Sequence, residues 1–351
     1  MSAGQASNSV EQTKDLIGLI LTYSENGDGT VTIGKIMRKC LLLALLLLCS
    51  CRQTHKKAIA VIPKGTSSIF WVAVEAGALA AGQQFGVEIL WNGPAQETEY
   101  DRQIQIVDSM TTRHVDGIAV AAAERRALAA PIERAVAAGI PVTVFDSGVD
   151  TDKYMTFIAT NNYEGGQKGA RALAQLLNGE GKVGVVMHAP GSASTMDREH
   201  GFEDTIAKEF PKIRITARQY SMSDPSKAMA AVENMLTAQP DLNGLFASSE
   251  PSSIGAAQAL KSRNAQGRVK LVAFDSSEQM IADMNKGVIQ AMVVQDPFQM
   301  GFDAVKSIVD KWGGKTPARR IDLSARVITK ADLSDPKVME LLRPDIKKYL
   351  N

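Results

Sequence analysis

Short, wholly apolar runs recur along the chain and alternate with longer stretches of helical spacing. The first run, at 58–62, is apolar at every position, which predicts a strand buried on both faces. Further strands are predicted at 88–91, 117–121, 142–145, 157–159, 183–187, 213–218, 245–247, 271–274 and 291–294, with a last one near Val327. Helices are predicted between them at 69–85, 97–113, 127–138, 163–177, 198–209, 227–238, 252–262, 278–286 and 300–312.

Alternating strands and helices predict an α/β protein whose parallel sheets are covered by helices on both faces. One series of units ends near residue 160 and a second begins at about residue 163. We therefore predict two similar, doubly wound lobes. The helix at 300–312 follows the second series, and the pattern alone does not assign it to a lobe.

Residues 37–52 differ from the rest of the chain. Two cations, Arg38 and Lys39, are followed by an apolar run at 41–48 and small residues before a cysteine, which are the regions of a secretory signal. The run is too short to span a bilayer, which takes about 20 helical residues. An export signal is therefore favoured over an anchor helix.

The end of this run, Leu48-Cys49-Ser50-Cys51, resembles the lipobox of bacterial lipoproteins. The resemblance implies cleavage before Cys51 and attachment of a lipid to that cysteine, which anchors a protein without a spanning helix. We expect a signal peptide at 37–50, a tether at 51–57 and a lipid anchor in a membrane. An ordinary cleaved signal and a buried core helix are the alternatives.

A start at Met37 leaves residues 1–36 to be explained. The stretch 24–31 looks like a calcium-binding loop, but Ser24 holds the first ligand position and Lys35 the twelfth, where calcium needs a bidentate glutamate. We interpret residues 1–36 as upstream sequence translated from a misplaced start. A disordered leader and a calcium site are the weaker alternatives.

Composition and motifs exclude several classes of function. The 39 basic and 38 acidic residues leave a net charge of +1, whereas nucleic-acid binding usually needs a concentrated basic face. All three cysteines lie in the signal or at its cleavage site, so the body suits an oxidising compartment without disulfides. No phosphate loop or dinucleotide fingerprint is present. The four histidines lack metal-ligand spacing, so no metal or cofactor is expected and they are interpreted as surface or tether residues: His55, His114, His188 and His200.

Polar residues follow most of the predicted strands, at the edge where parallel sheets bind ligands. Carboxylates, an arginine, an amide, hydroxyls and two aromatics suit a neutral polyhydroxylated ligand, since an aromatic face packs on a sugar ring and carboxylates accept from its hydroxyls. Other interpretations stay open for single residues. Asp146 and Asp275 could cap the next helix, and Arg198 could lie on a helix surface. Gln295 could serve only to hydrogen-bond backbone groups at a chain crossing. Phe70 or Trp71 could belong to the core.

A set of motifs, each weak alone, runs through the body from about Ala58 to Val327: 59–62 with Phe70-Trp71, Asp116-Gly117-Ile118, 139–142 leading to Asp146-Ser147, Arg198 with Gly201-Phe202, 236–241, 246–247, 255–257, 272–275, and 295–297 with Met300-Gly301. Together they resemble the ribose-binding type of periplasmic sugar-binding protein, which feeds an ABC importer.

The family resemblance implies that Phe70 and Trp71 sandwich a sugar, and that Asp146, Arg198, Asp275 and Gln295 bind its hydroxyls. It also implies three chain crossings between the lobes, near 160–162, 295–296 and 323–324. The first lobe is then 58–160 plus 297–323, and the second is 161–296 plus 324–351.

Four serines depart from the ribose pattern and leave room for a larger sugar or bridging waters. The full predicted ligand set is Lys64, Ser68, Phe70, Trp71, Asp146, Ser147, Arg198, Ser223, Ser249, Asp275 and Gln295.

The expected function is capture of a monosaccharide by a monomeric, non-enzymatic protein that delivers it to the membrane subunits of an importer. A sensor that docks on a membrane receptor and a non-sugar ligand such as a nucleoside are the alternatives. A sugar-responsive repressor would need a helix-turn-helix before the first strand. A sugar hydrolase with Asp146 and Glu250 as its pair of carboxylates is a further hypothesis, and turnover of a candidate sugar would decide it.

Overall fold

A computed structural model describes residues 56–350 of the chain. The predictions for residues 1–36, the signal peptide at 37–50 and Cys51 lie outside the described residues and stay predictions. Within the described part, no helix is both long enough and apolar enough to cross a bilayer.

The first lobe is built on a six-stranded, all-parallel sheet in the order β11-β5-β4-β3-β1-β2. Its strands are β1 (Ala58–Ile62), β2 (Glu88–Trp91), β3 (Gly117–Val120), β4 (Val142–Phe145), β5 (Thr156–Thr160) and β11 (Arg320–Leu323). Its helices are α1 (Ile69–Phe85), α2 (Tyr100–Thr112), α3 (Ala129–Ala137) and α9 (Pro297–Trp312). β1 is buried along its whole length and carries apolar clusters on both faces.

The second lobe repeats the arrangement in the order β12-β10-β9-β8-β6-β7. Its strands are β6 (Gly181–Met187), β7 (Ile213–Tyr220), β8 (Gly244–Ala247), β9 (Lys270–Phe274), β10 (Ala291–Val294) and β12 (Arg326–Thr329). Its helices are α4 (Asn162–Leu176), α5 (Ala193–Glu209), α6 (Pro225–Ala238), α7 (Glu250–Ser262), α8 (Glu278–Asn285) and α10 (Pro336–Leu342). Only β12 runs antiparallel among the described strands of this sheet. The predicted fold class of two doubly wound lobes is confirmed.

The chain passes between the sheets three times, after β5, after β10 and after β11. The second passage shows how the local sequence does this. Asp296 accepts a hydrogen bond from the backbone N–H of Gln299, and Pro297 occupies the first turn of α9, where its missing N–H costs nothing. The pair thus ends β10 and starts α9, which packs on α1 in the first lobe.

Two features of the structure were not predicted. β11 is half exposed and has no apolar run that would mark it as a strand. Its pairing with β5 holds it in the sheet. The tail forms a 3-10 turn (Lys330–Ser334), α10 and a short helix α11 (Lys347–Leu350). The sequence assigns all of 324–351 to the second lobe; α10 buries Val338 and Leu342 there, whereas α11 contacts α1 of the first lobe.

Gly301 sets the close approach of α9 to α1. A Cβ at Gly301 would overlap the carbonyl of Val74 in α1, and backbone cannot move aside as a flexible side chain can. We expect Gly301→Ala to lower the free energy of unfolding by about 1–3 kcal/mol, measured by urea titration.

Gly313→Ala, at the end of the same helix, is the matched control. Gly313 has a φ of −75° and 3.4 Å of clearance, so its replacement should change stability by less than about 0.5 kcal/mol. Equal effects of the two changes would contradict the close-packing explanation.

Candidate ligand-binding site

The carboxyl ends of β1, β4, β6, β8, β9 and β10 converge where the two lobes meet. A small cavity of about 20 Å³ lies there, which is room for about one water molecule. Eight predicted residues line it: Lys64, Phe70, Trp71, Asp146, Arg198, Ser249, Asp275 and Gln295. Ser68, Ser147 and Ser223 do not.

Lys64, just after β1, lies between two carboxylates of its own lobe. Its Nζ is 3.3 Å from Glu97 Oε2 and 3.3 Å from Asp146 Oδ2, and it reaches Ser192 and Ser194 of the second lobe at 3.2 and 3.3 Å. Burial opposes the charge of Lys64, but the two carboxylates outweigh burial and raise the pKa of the ammonium group. The ammonium is therefore a fixed positive centre of the cleft.

Glu97 gathers three donors around one carboxylate. Besides Lys64, the Trp71 indole N–H donates to Oε1 at 2.9 Å, and His188 Nε2 lies 3.1 Å from Oε2. Burial alone would raise the pKa of Glu97, yet Lys64, His188 and these hydrogen bonds hold it well below its usual range. Glu97 is consequently an ionised acceptor in the closed cleft.

Arg198 and Asp275 form the polar wall of the second lobe. The Arg198 guanidinium donates to Asn162 Oδ1 at 2.7 Å and to the Ser248 carbonyl at 3.0 Å, and it lies 4.0 Å from the centre of the Phe274 ring. Gln295 donates to Asp275 Oδ1 at 2.7 Å. Arg198 is 3% exposed, so it is not a surface helix residue.

The two aspartates at the strand ends are not helix caps of the following segments. Asp146 and Asp275 both have positive φ angles, of 56° and 69°, and the backbone turns sharply at each of them, after β4 and after β9. Asp275 Oδ2 instead accepts the N–H of Glu250 at the start of α7, and Ser277 caps α8. Both carboxylates remain at the cleft.

Two buried acceptors in the cleft have no hydrogen-bond partner in the protein. They are Asp146 Oδ2, which has only its ion pair with Lys64, and Gln295 Oε1 at the second chain crossing. Buried polar atoms are almost always hydrogen-bonded, so each marks a place for an external donor. One lies in the first lobe and the other at the hinge.

The two aromatic residues, Phe70 and Trp71, differ in how deeply they are buried. Trp71 is 1% exposed and belongs to the first-lobe core with Phe145, and only part of its surface reaches the cavity. Phe70 is half-buried and meets Trp71 edge-on at 4.9 Å. Phe70 is thus the better placed of the two to contact a ligand.

The remaining predicted serines serve other contacts. Ser147 accepts from the Ser194 backbone across the lobes at 3.3 Å. Ser68 precedes α1 and belongs to the groups that surround the Glu250 carboxylate. Ser223 lies half-buried in the turn after β7, with a φ of 57°.

Sequence reasoning missed Glu97, His188 and the role of Glu250. Glu97 was predicted inside a helix at 97–113, but α2 begins at Tyr100 and Glu97 lies in the loop after β2. His188 was interpreted as a surface residue; that is wrong, because it is 2% exposed directly after β6. Inspecting every strand end, including that of β2, would have found both.

Glu250 joins the lobes at the start of α1. Its carboxylate accepts the backbone N–H groups of Phe70 at 3.1 Å and Ile69 at 3.4 Å, which Ser68 leaves uncapped. Burial raises the pKa of the Glu250 carboxyl to about 7, although the backbone hydrogen bonds at the start of α1 oppose this rise. Glu250 therefore makes contacts between the two lobes, as Lys64, His188 and Ser147 also do.

A larger cavity of about 620 Å³ adjoins the cleft on the hinge side. It shares Phe70, Asp275 and Gln295 with the small cavity and is otherwise lined by the start of α1, residues 276–278 and the tail at 341–347. Most of the polar groups that could orient a ligand lie on the small cavity.

A family model described as a periplasmic binding protein domain matches residues 59–316. The chain belongs to this family. The ribose import binding protein of Bacillus subtilis is 25% identical over 261 residues, which cover 74% of this chain and 83% of that protein. The D-allose-binding periplasmic protein of Escherichia coli is 27% identical over 259 residues, covering 72% and 83%.

Two solved structures of solute-binding proteins are similar to this fold. A carbohydrate transporter solute-binding protein from Agrobacterium radiobacter, in complex with D-arabinose, has a TM-score of 0.81 and 30% identity, covering 83% of this chain and 100% of that one. An ABC transporter solute-binding protein from Agrobacterium vitis with bound D-fucose has a TM-score of 0.79 and 32% identity, covering 82% and 100%.

Glu199 supplies a test of the electrostatics behind the cleft. Its buried carboxylate accepts from the His188 backbone at 3.0 Å and the Ser248 hydroxyl at 2.8 Å, and burial raises its pKa to about 7. A folded-state pKa above the unfolded value favours folding at low pH, and this stability is lost as pH rises from about 4.5 through 7.

Glu199→Gln keeps the accepting oxygen and removes the charge. By urea unfolding, we expect equal stability to the unchanged protein at pH 4.5 and a gain on the order of 2 kcal/mol at pH 8. Glu203 lies on the same helix and forms an exposed ion pair with Arg218 of β7, so Glu203→Gln should change stability by less than about 1 kcal/mol. A loss of stability at pH 8 in Glu199→Gln would refute the assignment.

Proposed function

We propose that this protein is an extracytoplasmic binding protein that captures a monosaccharide between its lobes and delivers it to an ABC importer. The observation that carries the proposal is the cleft itself: carboxylates, an arginine, an ammonium group and an amide converge from both lobes beside an aromatic ring. Relatives named for ribose and allose, and structures with bound D-arabinose and D-fucose, support a sugar as the ligand.

The proposed mechanism is closure around the ligand. A sugar ring is far larger than one water molecule, so the lobes must separate, or cleft side chains move, before it enters the cavity of about 20 Å³. Its hydroxyls would donate to Asp146 Oδ2 and Gln295 Oε1 and accept from Lys64 and Arg198. A ligand that contacts both lobes stabilises the closed form by its differential affinity, and the importer recognises that form.

The same groups favour binding over turnover. A hydrolase would need one carboxyl as acid and a second as base or nucleophile beside the bond to be cleaved. Glu250 is instead engaged by the backbone at the start of α1, and Asp146 pairs with Lys64. We propose that the protein acts as a monomer without enzymatic activity.

A thermal-shift screen of the purified protein against pentoses, hexoses, deoxysugars, ketoses and nucleosides tests the ligand class. A ligand at 100 times its dissociation constant adds about 2.7 kcal/mol of stability, which raises the melting temperature by several degrees. Asp275→Asn and Arg198→Ala should abolish the shift by the active sugar while unfolding stays cooperative. A shift with nucleosides alone would reject the sugar, and retained sugar binding in both variants would reject the site.

The lipid anchor is tested by Cys51→Ser in the producing cell. If Cys51 carries the lipid, the variant should leave the membrane fraction and appear in the soluble fraction. Cys49→Ser changes a neighbouring thiol and should leave the protein on the membrane. Membrane association that survives Cys51→Ser would reject the lipoprotein proposal.

A further inference from the structure

The cavity of about 620 Å³ beside the polar cleft, called here the hinge-side cavity, shares a border with the small cavity. Phe70, Asp275 and Gln295 line both cavities, so these three side chains form that border. A group bound against them in the cleft is therefore one side chain away from a much larger space.

The chemistry of the walls changes at this border. The small cavity is lined mainly by charged and polar side chains, whereas most of the wall surface of the hinge-side cavity is apolar. Its apolar residues come from α1, from β10 and from the tail, and include Ile69, Phe70, Ala73, Val294, Leu341 and Ile346. Two of its charged residues, Glu278 and Arg343, are hydrogen-bonded to each other twice. The cavity therefore suits an apolar group and not a second sugar, whose hydroxyls would stay unpaired against these walls.

The tail forms the outer wall of the hinge-side cavity and is attached to both lobes. In the second lobe, α10 buries Val338 and Leu342. In the first lobe, α11 contacts α1 and places the Tyr349 ring 5.6 Å from that of Phe298 in α9. Residues 343–346 pass between these two attachments and line the cavity. The tail thus covers the space without filling it.

A space of this size between packed elements is unusual, because protein interiors leave few voids larger than a water molecule. Its volume falls within the range of ligand pockets, about 300–1,000 Å³, which are mostly apolar with a few polar groups that orient the ligand. The small cavity supplies such polar groups but has room for about one water molecule. Together, the two cavities suit one ligand that has a polar ring and an apolar part.

We propose that the hinge-side cavity is a second subsite, which binds an apolar substituent of the captured sugar. The ligand is a glycoside whose hydroxyl groups bind in the polar cleft and whose aglycone lies between α1 and the tail. The inference rests on the proposed function, because the bound sugar is what places the aglycone. Phe70 contacts both parts of the ligand, since its side chain lines both cavities.

Gln295 fits the junction between the two parts. Its side chain is 2% exposed, its amide N–H donates to Asp275 Oδ1 at 2.7 Å, and its Oε1 has no hydrogen-bond partner in the protein. A sugar hydroxyl can donate to Oε1, whereas an apolar group at that place would leave it unpaired. The polar part of the ligand therefore extends as far as Gln295, and the apolar part lies beyond it, beside Ala73 and Val294.

Calorimetric titration of the purified protein with matched sugars tests the subsite. The probes are the free sugar, the methyl glycoside and the phenyl glycoside of D-ribose, D-allose, D-arabinose and D-fucose, in both anomers. The phenyl group leaves water on entering the cavity, so it should lower the dissociation constant by about tenfold or more relative to the methyl group. Phenyl glycosides that bind no tighter than the methyl glycosides, for every sugar and anomer, overturn the inference.

Two variants that fill the cavity distinguish the subsite from non-specific binding of the phenyl group. Ala73→Leu fills it from α1 and Ile346→Trp from the tail, so each should remove most of the preference for phenyl over methyl. Gln83→Leu, on the exposed face of α1 and outside the cavity lining, is the matched control and should keep the preference. Thermal unfolding confirms that each variant is folded. A preference that survives in both folded cavity variants overturns the inference.

The free sugars separate this inference from the sugar-binding proposal. A free sugar that binds, with no preference for phenyl over methyl in its glycosides, supports capture and overturns the second subsite. A phenyl glycoside that binds when its free sugar does not supports the subsite. Binding of none of the probes overturns the inference and also counts against the proposed function for these sugars.

Discussion

A single ammonium group between two buried carboxylates, Lys64 with Glu97 and Asp146, is the interaction on which the closed cleft depends. The three residues follow β1, β2 and β4 of one parallel sheet, so sheet register brings them together. Ions out of water are tolerated when they are paired and hydrogen-bonded. The indole of Trp71 and the ring of His188 complete the pairing, which ties the first-lobe core and the second lobe to the same cluster.

The hinge and the binding groups share residues. Asn162, at the first crossing, accepts from Arg198, and Gln295, at the second, donates to Asp275. The first and third crossings are joined by the hydrogen bond from the Asn161 N–H to the Leu323 carbonyl. In the proposed mechanism, a ligand that engages Arg198 or Gln295 acts on groups bonded to the crossing segments, which would couple occupancy to closure.

The sequence predicted the fold well because buried parallel strands are apolar at every position and so stand out without an alignment. It missed β11 and the tail helices, whose residues are stabilised by partners far away in the chain. The site was predicted where a strand end carries an obvious polar residue, as at Asp146 and Asp275. Glu97 and His188 each follow a strand, but Glu97 was assigned to a helix and His188 to the surface, and no local pattern records the contact between the lobes that links them.

A crystal structure of the complex with the sugar that binds best tests most directly whether sugar hydroxyls donate to the two unpartnered acceptors of the cleft, as proposed. We predict closed lobes, a sugar ring against Phe70, and hydroxyl groups within hydrogen-bond distance of Asp146 Oδ2 and Gln295 Oε1. A sugar bound outside the cleft, or one that leaves both acceptors without a donor, would contradict the proposed mode of capture.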